Sequence, residues 1–208
     1  LMSEGVDFNL VSFPLKHLGF KALVSTIAEI YARQAVPENV SIALGISSKL
    51  EFSHIKELFS GVIAAAKEHG IKHLDLDLNP SANGLVISVG VTGYCSETVI
   101  KHKAVPSSKD IICVGGHLGA AFFGQHIMQE GAKAFENGQK QPDLAPYKMF
   151  VSDYLLPEVS PSTIPDLRRS GRYPSYGYVV SKGLADACKR LEAESGLGVK
   201  IYASNITF

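Results

Sequence analysis

The apolar residues of this chain switch repeatedly between helical and strand spacing, and this alternation constrains the fold most. Between residues 17 and 34 they recur every three or four positions, as in an amphipathic helix. In segments 40–46 and 85–91 they occupy every second position, as in half-buried strands. The elements follow in the order β-α-β-α-β-β-β-α, then α, then β-α-β, which predicts a mixed α+β or α/β fold.

Spacing, apolar runs and capping residues predict the remaining elements. We expect a helix between an N-cap at Ser53 and a stop at Gly70. Further helices are expected at 118–130, 144–156 and 182–195, and strands at 74–78, 110–114, 177–181 and 199–203. The turn at 80–84 suggests that the strands on either side of it form a hairpin. Residues 157–175 hold four prolines, which is typical of a long connection.

Composition excludes several classes of protein. Lys+Arg and Asp+Glu both number 20, so we expect no nucleic-acid partner and no polybasic membrane surface. No apolar run is long enough to span a bilayer. Apolar residues make up 46% of the chain, enough for a buried core. The three cysteines are expected to be buried free thiols in a reducing compartment.

Three features could bind ligands, and each has a plainer alternative. Asp75 and Asp77 share one face of a strand and would suit Mg²⁺, or they belong to a solvated face. Glu29 lies on the small-residue face of the first helix and could approach a cation, or it pairs with Arg33. The glycine-rich segment 115–119 could present backbone N–H groups to an anion, or it is a tight turn.

Several segments together resemble the thiamine-monophosphate kinase family. They are residues 4–8, 13–22, 110–119 and 141–148, and the similarity runs in order along nearly the whole chain. The superfamily includes aminoimidazole ribonucleotide synthetase and selenophosphate synthetase. The resemblance implies an ATP-binding domain with a mixed sheet flanked by helices. That domain would dimerise through its sheet and would precede a second α+β domain. We therefore expect that ATP-binding domain at 1–157, incomplete at its amino terminus, a linker at 158–175 and the truncated start of the second domain at 176–208.

The resemblance also implies a function. Members of the family are cytoplasmic homodimers that use ATP and Mg²⁺ to convert thiamine phosphate into thiamine diphosphate. Carried over by motif, Glu29 and Asp77 would bind metal. Asp77, Lys103 and Ser181 would contact the nucleotide, and Asp7 would lie near the thiamine phosphate.

The chain departs from the family where the family binds metal. Asp75-Leu76-Asp77-Leu78 replaces a Gly-Gly-Asp-Thr motif, and Lys103 replaces an arginine. Val179 and Lys182 replace two carboxylates of an Asp-x-Ser-Asp-Gly motif. Because the chain begins at Leu1, we expect a fragment, with the family's aspartate-rich segment falling before it. These losses suggest an alternative, a non-catalytic dimeric homologue that binds nucleotide weakly or not at all.

Overall fold

One mixed sheet organises the first half of the chain. The computed structural model describes residues 1–102 and 104–206. The sheet has the strand order β1-β4-β2-β3, with β1 at Met2–Ser3, β2 at Val36–Ile46, β3 at His73–Pro80 and β4 at Val86–Tyr94. The helices are α1 Leu15–Ala32, α2 Phe52–Glu68, α3 Glu97–Lys101, α4 Ala120–Glu136, α5 Lys148–Leu155, α6 Thr163–Arg169 and α7 Leu184–Ser195. Short 3₁₀ turns occupy Ala145–Tyr147 and Ala203–Asn205.

Helices α1 and α2 cover one face of the sheet. The alternation in β2 turns Val40, Ile42 and Leu44 toward them, and all three side chains are buried in the main core. The two helices approach closely at a pair of glycines. A Cβ on Gly19 would lie 2.0 Å from a backbone oxygen of α2, and one on Gly61 would lie 1.8 Å from a backbone oxygen of α1. No larger residue fits at this crossing.

The ends of α2 partly match the sequence prediction. The helix is capped at Glu51, which forms a capping box with His54, so the prediction of Ser53 as N-cap was wrong. Ser53 becomes the second helical residue because the longer Glu51 side chain reaches the free backbone N–H groups. Gly70 follows the helix with φ +64°, as predicted for a stop.

The predicted hairpin does not form. β3 pairs in parallel with β2, and β4 pairs with β2 in the antiparallel direction. β2 therefore lies between the two strands that the turn at 80–84 connects. This arrangement buries the more apolar β2 at the centre and leaves β3, with its alternating aspartates, at the edge of the sheet.

The second half of the chain differs more from the prediction. Within the described residues, segments 110–114, 177–181 and 199–203 are not strands, and Ile111 is 84% exposed. The connection 157–175 contains α6, which buries Ile164 against the core. The prediction of three buried cysteines was wrong, because Cys95 and Cys113 are exposed and Cys188 is half-buried. The division into two domains and a linker stays a prediction.

Across the ranges that the structure describes, no helix combines the length and the apolar character needed to cross a membrane.

Candidate functional site

The face of the sheet opposite α1 and α2 is open and polar. In the register, Asp75 lies beside Ser41, and Asp77 lies beside Ala43. These residues alternate with the buried ones of β2, so they project away from the helices. A shallow depression of about 320 Å³ lies on this face. Its lining includes Ser41, Ala43, Asp75, Asp77, Ser88 and Gly90.

Asp75 and Asp77 occupy this open face as neighbours. The prediction that the two carboxylates share one side of a strand is confirmed, and both residues are exposed. The side-chain amide of Asn79 donates a 2.8 Å hydrogen bond to an Oδ atom of Asp77. One acceptor of Asp77 is therefore engaged, and the remaining carboxylate oxygens of the pair face solvent.

Glu29 lies on the other side of the sheet. It belongs to the last turns of α1, and it is half-buried beside the buried Ala28. The sheet separates it from the face that carries Asp77, so the structure does not bring the two predicted metal ligands together. No ion pair joins Glu29 to Arg33 either, although both are among the described residues.

The described donor groups do not fit a magnesium centre. Within residues 1–102 and 104–206, no three His, Cys, Asp or Glu side chains cluster in a way that could hold a metal ion. Mg²⁺ requires near-octahedral oxygen coordination, usually from one or two carboxylates together with substrate phosphates. The aspartates of β3 and the glutamate of α1 are on opposite faces of the sheet, so they cannot share one ion.

The segment that carries Ser181 attaches to the end of α1. The side-chain amide of Gln34 donates a 2.7 Å hydrogen bond to the Pro174 carbonyl. Arg168 donates to the Gln34 carbonyl at 3.1 Å. Gly177 lies so close to Ala32 that a Cβ would be 2.1 Å from its carbonyl oxygen. The chain leading to Ser181 therefore starts from the end of α1 that carries Glu29.

Ser181 and Lys182 lie in the turn before α7. Both residues are exposed, and Gly183 follows them with φ +92°. Ser181 and Glu29 form no hydrogen bond, although both are described. Lys182 forms no ion pair with any described carboxylate, whereas Asp186 on the first turn of α7 pairs with Arg190 at 3.2 Å.

The other predicted site residues are placed differently. The carboxylate of Asp7 accepts a 2.7 Å hydrogen bond from the Ser3 backbone N–H, which closes the turn after β1. Asp7 is exposed, and its role near a substrate stays a prediction. Lys103, the predicted nucleotide contact, lies outside the described residues.

A half-buried lysine is the feature that sequence analysis missed. Lys21 Nζ lies 3.8 Å from the ring centre of Tyr154 and 5.2 Å from that of Phe13. It also donates a 2.7 Å hydrogen bond to the Tyr154 carbonyl. Burial lowers the pKa of Lys21 to about 8, although the negative charge of Asp7 opposes this shift. A sequence signal was available, since Lys21 lies between Phe20 and Leu23 of the apolar stripe of the first helix.

The glycine-rich segment 115–119 forms the entrance to α4. Gly116 and Gly119 have φ values of +89° and +85°, and Gly119 is the N-cap of the helix. Between them, His117 Nδ1 lies 3.0 Å from an Oδ atom of Asp153 on α5. The segment is therefore a tight turn tied to the neighbouring helix, although the strand predicted before it is absent from the described residues.

The curated proteins that are similar to this chain in sequence share one name. No protein-family model matches the chain. Thiamine-monophosphate kinase from Bacillus subtilis is 30% identical over 132 residues, covering 62% of this chain and 40% of the relative. The enzyme of the same name from Synechococcus elongatus is 22% identical over 208 residues, covering 98% of this chain and 61% of the relative. The chain thus spans about half the length of the curated relatives that it matches.

Solved structures share the fold. A structure of AaThiL complexed with AMPPCP and TMP superposes with a TM-score of 0.68 at 22% identity, covering 94% of this chain and 58% of that one. The HypE–HypF complex gives a TM-score of 0.59 at 18% identity, with coverages of 95% and 62%. The mixed sheet flanked by helices is therefore the α+β fold of aminoimidazole ribonucleotide synthetase-like proteins, as predicted. Within that class, the chain is similar in sequence to proteins named thiamine-monophosphate kinase.

Proposed function

We propose that this chain is a thiamine-monophosphate kinase-like protein that binds ATP and thiamine phosphate. The proposed activity is transfer of the terminal phosphoryl group of ATP to give thiamine diphosphate. One observation carries the proposal: the similarity to these kinases extends over 98% of the chain, on a scaffold that matches AaThiL with a TM-score of 0.68.

Residue roles follow the motif positions and stay part of the proposal. Asp77, Ser181 and Lys103 would contact the nucleotide, and Asp7 would lie near thiamine phosphate. The resemblance also assigns Mg²⁺ to Glu29 and Asp77. The sheet that separates these two carboxylates argues against a shared ion, so no step of the reaction is derived through the metal.

A second candidate is supported by that same separation. The chain would then be a non-catalytic homologue, a dimeric domain that binds nucleotide weakly or not at all. Phosphoryl transfer depends on neutralising the charge that develops on the phosphate oxygens, and the described carboxylates do not form a centre that could hold an ion for this purpose.

We further propose a cytoplasmic homodimer that forms through the open face of the sheet. The residues that line this face support the assembly. Ser41, Ser88 and Gly90 are small and exposed, so a second sheet can approach this face closely. Two copies that met through this face would cover both strand β3 and the depression beside it.

One pair of measurements separates the candidates. The purified chain is incubated with ATP, thiamine phosphate and Mg²⁺, and thiamine diphosphate is measured by chromatography, with the Bacillus subtilis relative as a positive control. Thermal unfolding is followed in parallel, because ATP at 100 times its dissociation constant adds about 2.7 kcal/mol of stability. Product formation supports the kinase. No product, with little or no thermal shift at millimolar ATP, supports the non-catalytic homologue.

A further inference from the structure

We propose that Gln34 is a positioning residue for the nucleotide, and that its side-chain amide holds the segment that carries Ser181 against the end of α1. This inference rests on the proposed function, in which Ser181 contacts ATP. It deepens that function by naming a residue outside the nucleotide contacts on which the affinity for ATP depends.

The backbone of Gln34 has a conformation that glutamine rarely adopts. Gln34 follows the C-cap of α1 with φ +58°, and within residues 1–102 and 104–206 it is the one non-glycine residue with positive φ. Glycine takes this conformation after a helix without strain, as Gly70 does after α2. Glutamine adds only its side chain to what glycine provides. A role for this residue must therefore come from the contacts of that side chain.

Gln34 connects the end of α1 to the segment 168–177 through two hydrogen bonds. Its side-chain Nε2 donates a 2.7 Å bond to the Pro174 carbonyl, and its own carbonyl accepts a 3.1 Å bond from Arg168. Both bonds are partly buried. The bond from Arg168 ends on the backbone, so it does not depend on the side chain at position 34. A substitution of Gln34 therefore removes the bond to Pro174 and leaves the other in place.

The segment 174–181 depends on such contacts because it has no regular secondary structure. Its residues form neither a helix nor a strand, so no ladder of backbone hydrogen bonds fixes their position. From the other side, Arg190 of α7 donates a 2.7 Å hydrogen bond to the Val179 carbonyl. Gln34 thus attaches the beginning of this segment to α1, and Arg190 attaches its later part to α7.

The placement of Ser181 relative to Asp77 depends on the attachment to α1. Asp77 belongs to β3, which pairs with β2, and β2 begins directly after the end of α1 at Val36. Ser181 belongs to the segment that Gln34 holds. Loss of the bond to Pro174 would let Ser181 move relative to the sheet. A nucleotide that contacts both residues would then bind less tightly, because the two contacts are no longer held in place before binding.

A matched pair of glycine variants tests this role in the full chain. Gln34→Gly removes the amide and keeps the positive φ, whereas Gln139→Gly makes the same change at an exposed glutamine just beyond α4. Isothermal titration calorimetry measures the binding of ATP with Mg²⁺ and, separately, of thiamine phosphate. We expect Gln34→Gly to bind ATP about tenfold more weakly and thiamine phosphate like the wild type. Gln139→Gly should bind both ligands like the wild type.

Two further measurements separate positioning from a general loss of structure. The melting temperature of Gln34→Gly should stay close to that of the wild type, because relief of the positive φ offsets the lost hydrogen bond. Chymotrypsin cleavage after Tyr176 and Tyr178, located by mass spectrometry, should be faster in Gln34→Gly than in the wild type. A protease cleaves a segment more rapidly when the segment opens more often.

The outcomes distinguish this inference from the proposed function. A selective loss of ATP affinity in Gln34→Gly, with faster cleavage and an unchanged melting temperature, supports the proposal. Wild-type affinity for ATP, or unchanged cleavage, would overturn the positioning role and leave ATP binding intact. A loss of affinity for both ligands, or a clear fall in the melting temperature, would overturn it as well, because Gln34 would then act on the whole fold. If the wild type binds no ATP, the ATP binding in the proposed function is wrong, and the positioning role with it.

Discussion

The ammonium group of Lys21 lies 3.8 Å above the ring of Tyr154 and donates a hydrogen bond to the carbonyl of the same residue. Tyr154 lies in the last turn of α5, where backbone carbonyls lack helical partners. Lys21 therefore fastens α5 to α1 by a cation–π contact and by a charge-assisted hydrogen bond to a helix end. This contact links helices that are more than 100 residues apart in the chain.

Removing this charge should loosen the contact between the two helices. Lys21→Met keeps most of the side-chain volume but leaves the Tyr154 carbonyl without its donor. We expect the free energy of unfolding at pH 7 to fall by about 1–2 kcal/mol. Urea denaturation measures the change, with Lys16→Met on the exposed side of α1 as the control. A loss no larger than that of the control would mean that Lys21 contributes only packing.

The lowered pKa of Lys21 predicts a pH dependence. Its folded-state pKa is about 8, below the ordinary value of 10.5, so the unfolded chain binds more protons between these values. The stability that Lys21 contributes therefore rises with pH over this window. The difference in unfolding free energy between wild type and Lys21→Met should grow from pH 7.5 to pH 9.5. This range ends below the ordinary pKa of tyrosine, so tyrosine ionisation contributes little to the difference. A constant difference over this range would contradict the assigned pKa.

The sequence predicted local structure well where the residues of a single helix or strand were sufficient to identify it. The stripe of α1, the alternation in β2 and the glycine stop after α2 all appear in the structure. Pairing between strands was predicted less well. The turn at 80–84 can join two strands that pair with each other, and it can also join β3 and β4 with β2 between them. Apolar segments such as 110–114 failed as strands because a short apolar run does not reveal whether a partner strand is available.

The crossing of α1 and α2 should tolerate no side chain at Gly61. A Cβ there would lie 1.8 Å from the Lys16 carbonyl oxygen, so Gly61→Ala must push the helices apart. We expect a loss of about 3 kcal/mol in the free energy of unfolding. Gly131→Ala on α4 is the matched control, since its Cβ would meet only Pro142 at 3.8 Å. It should be neutral or stabilise the protein by up to about 1 kcal/mol through helix propensity. Similar effects of the two changes on urea denaturation would contradict the close approach.

The buried pair of Tyr31 and His69 should make the fold sensitive to acid. The Tyr31 hydroxyl lies 3.0 Å from His69 Nδ1, and burial holds the pKa of His69 below its ordinary value of 6.5. As the pH falls below 6.5, the unfolded chain takes up a proton that folded His69 resists, so stability decreases. His69→Gln should flatten the dependence of the melting temperature between pH 7 and pH 5. His73→Gln, at an exposed position, should keep the wild-type profile, and equal profiles for both variants would refute the assignment.

The candidate site was only partly accessible from sequence. The two-residue spacing was sufficient to place Asp75 and Asp77 on one face of β3. It could not show that α1 covers the opposite face, because that depends on which side of the sheet the first helix crosses. Glu29 and Asp77 therefore looked compatible as metal ligands in the sequence, although the sheet separates them in the fold.

The open face of the sheet should be where two copies meet. Ser88 is exposed on β4 beside the depression, so an arginine there would place a large charged side chain within the proposed interface. Sedimentation should show a dimer for the wild type and a monomer for Ser88→Arg. Ala64→Arg, on the exposed side of α2, introduces the same side chain on the opposite surface and should remain dimeric. If Ser88→Arg stays dimeric, or if both variants dissociate, the interface does not lie on the open face of the sheet.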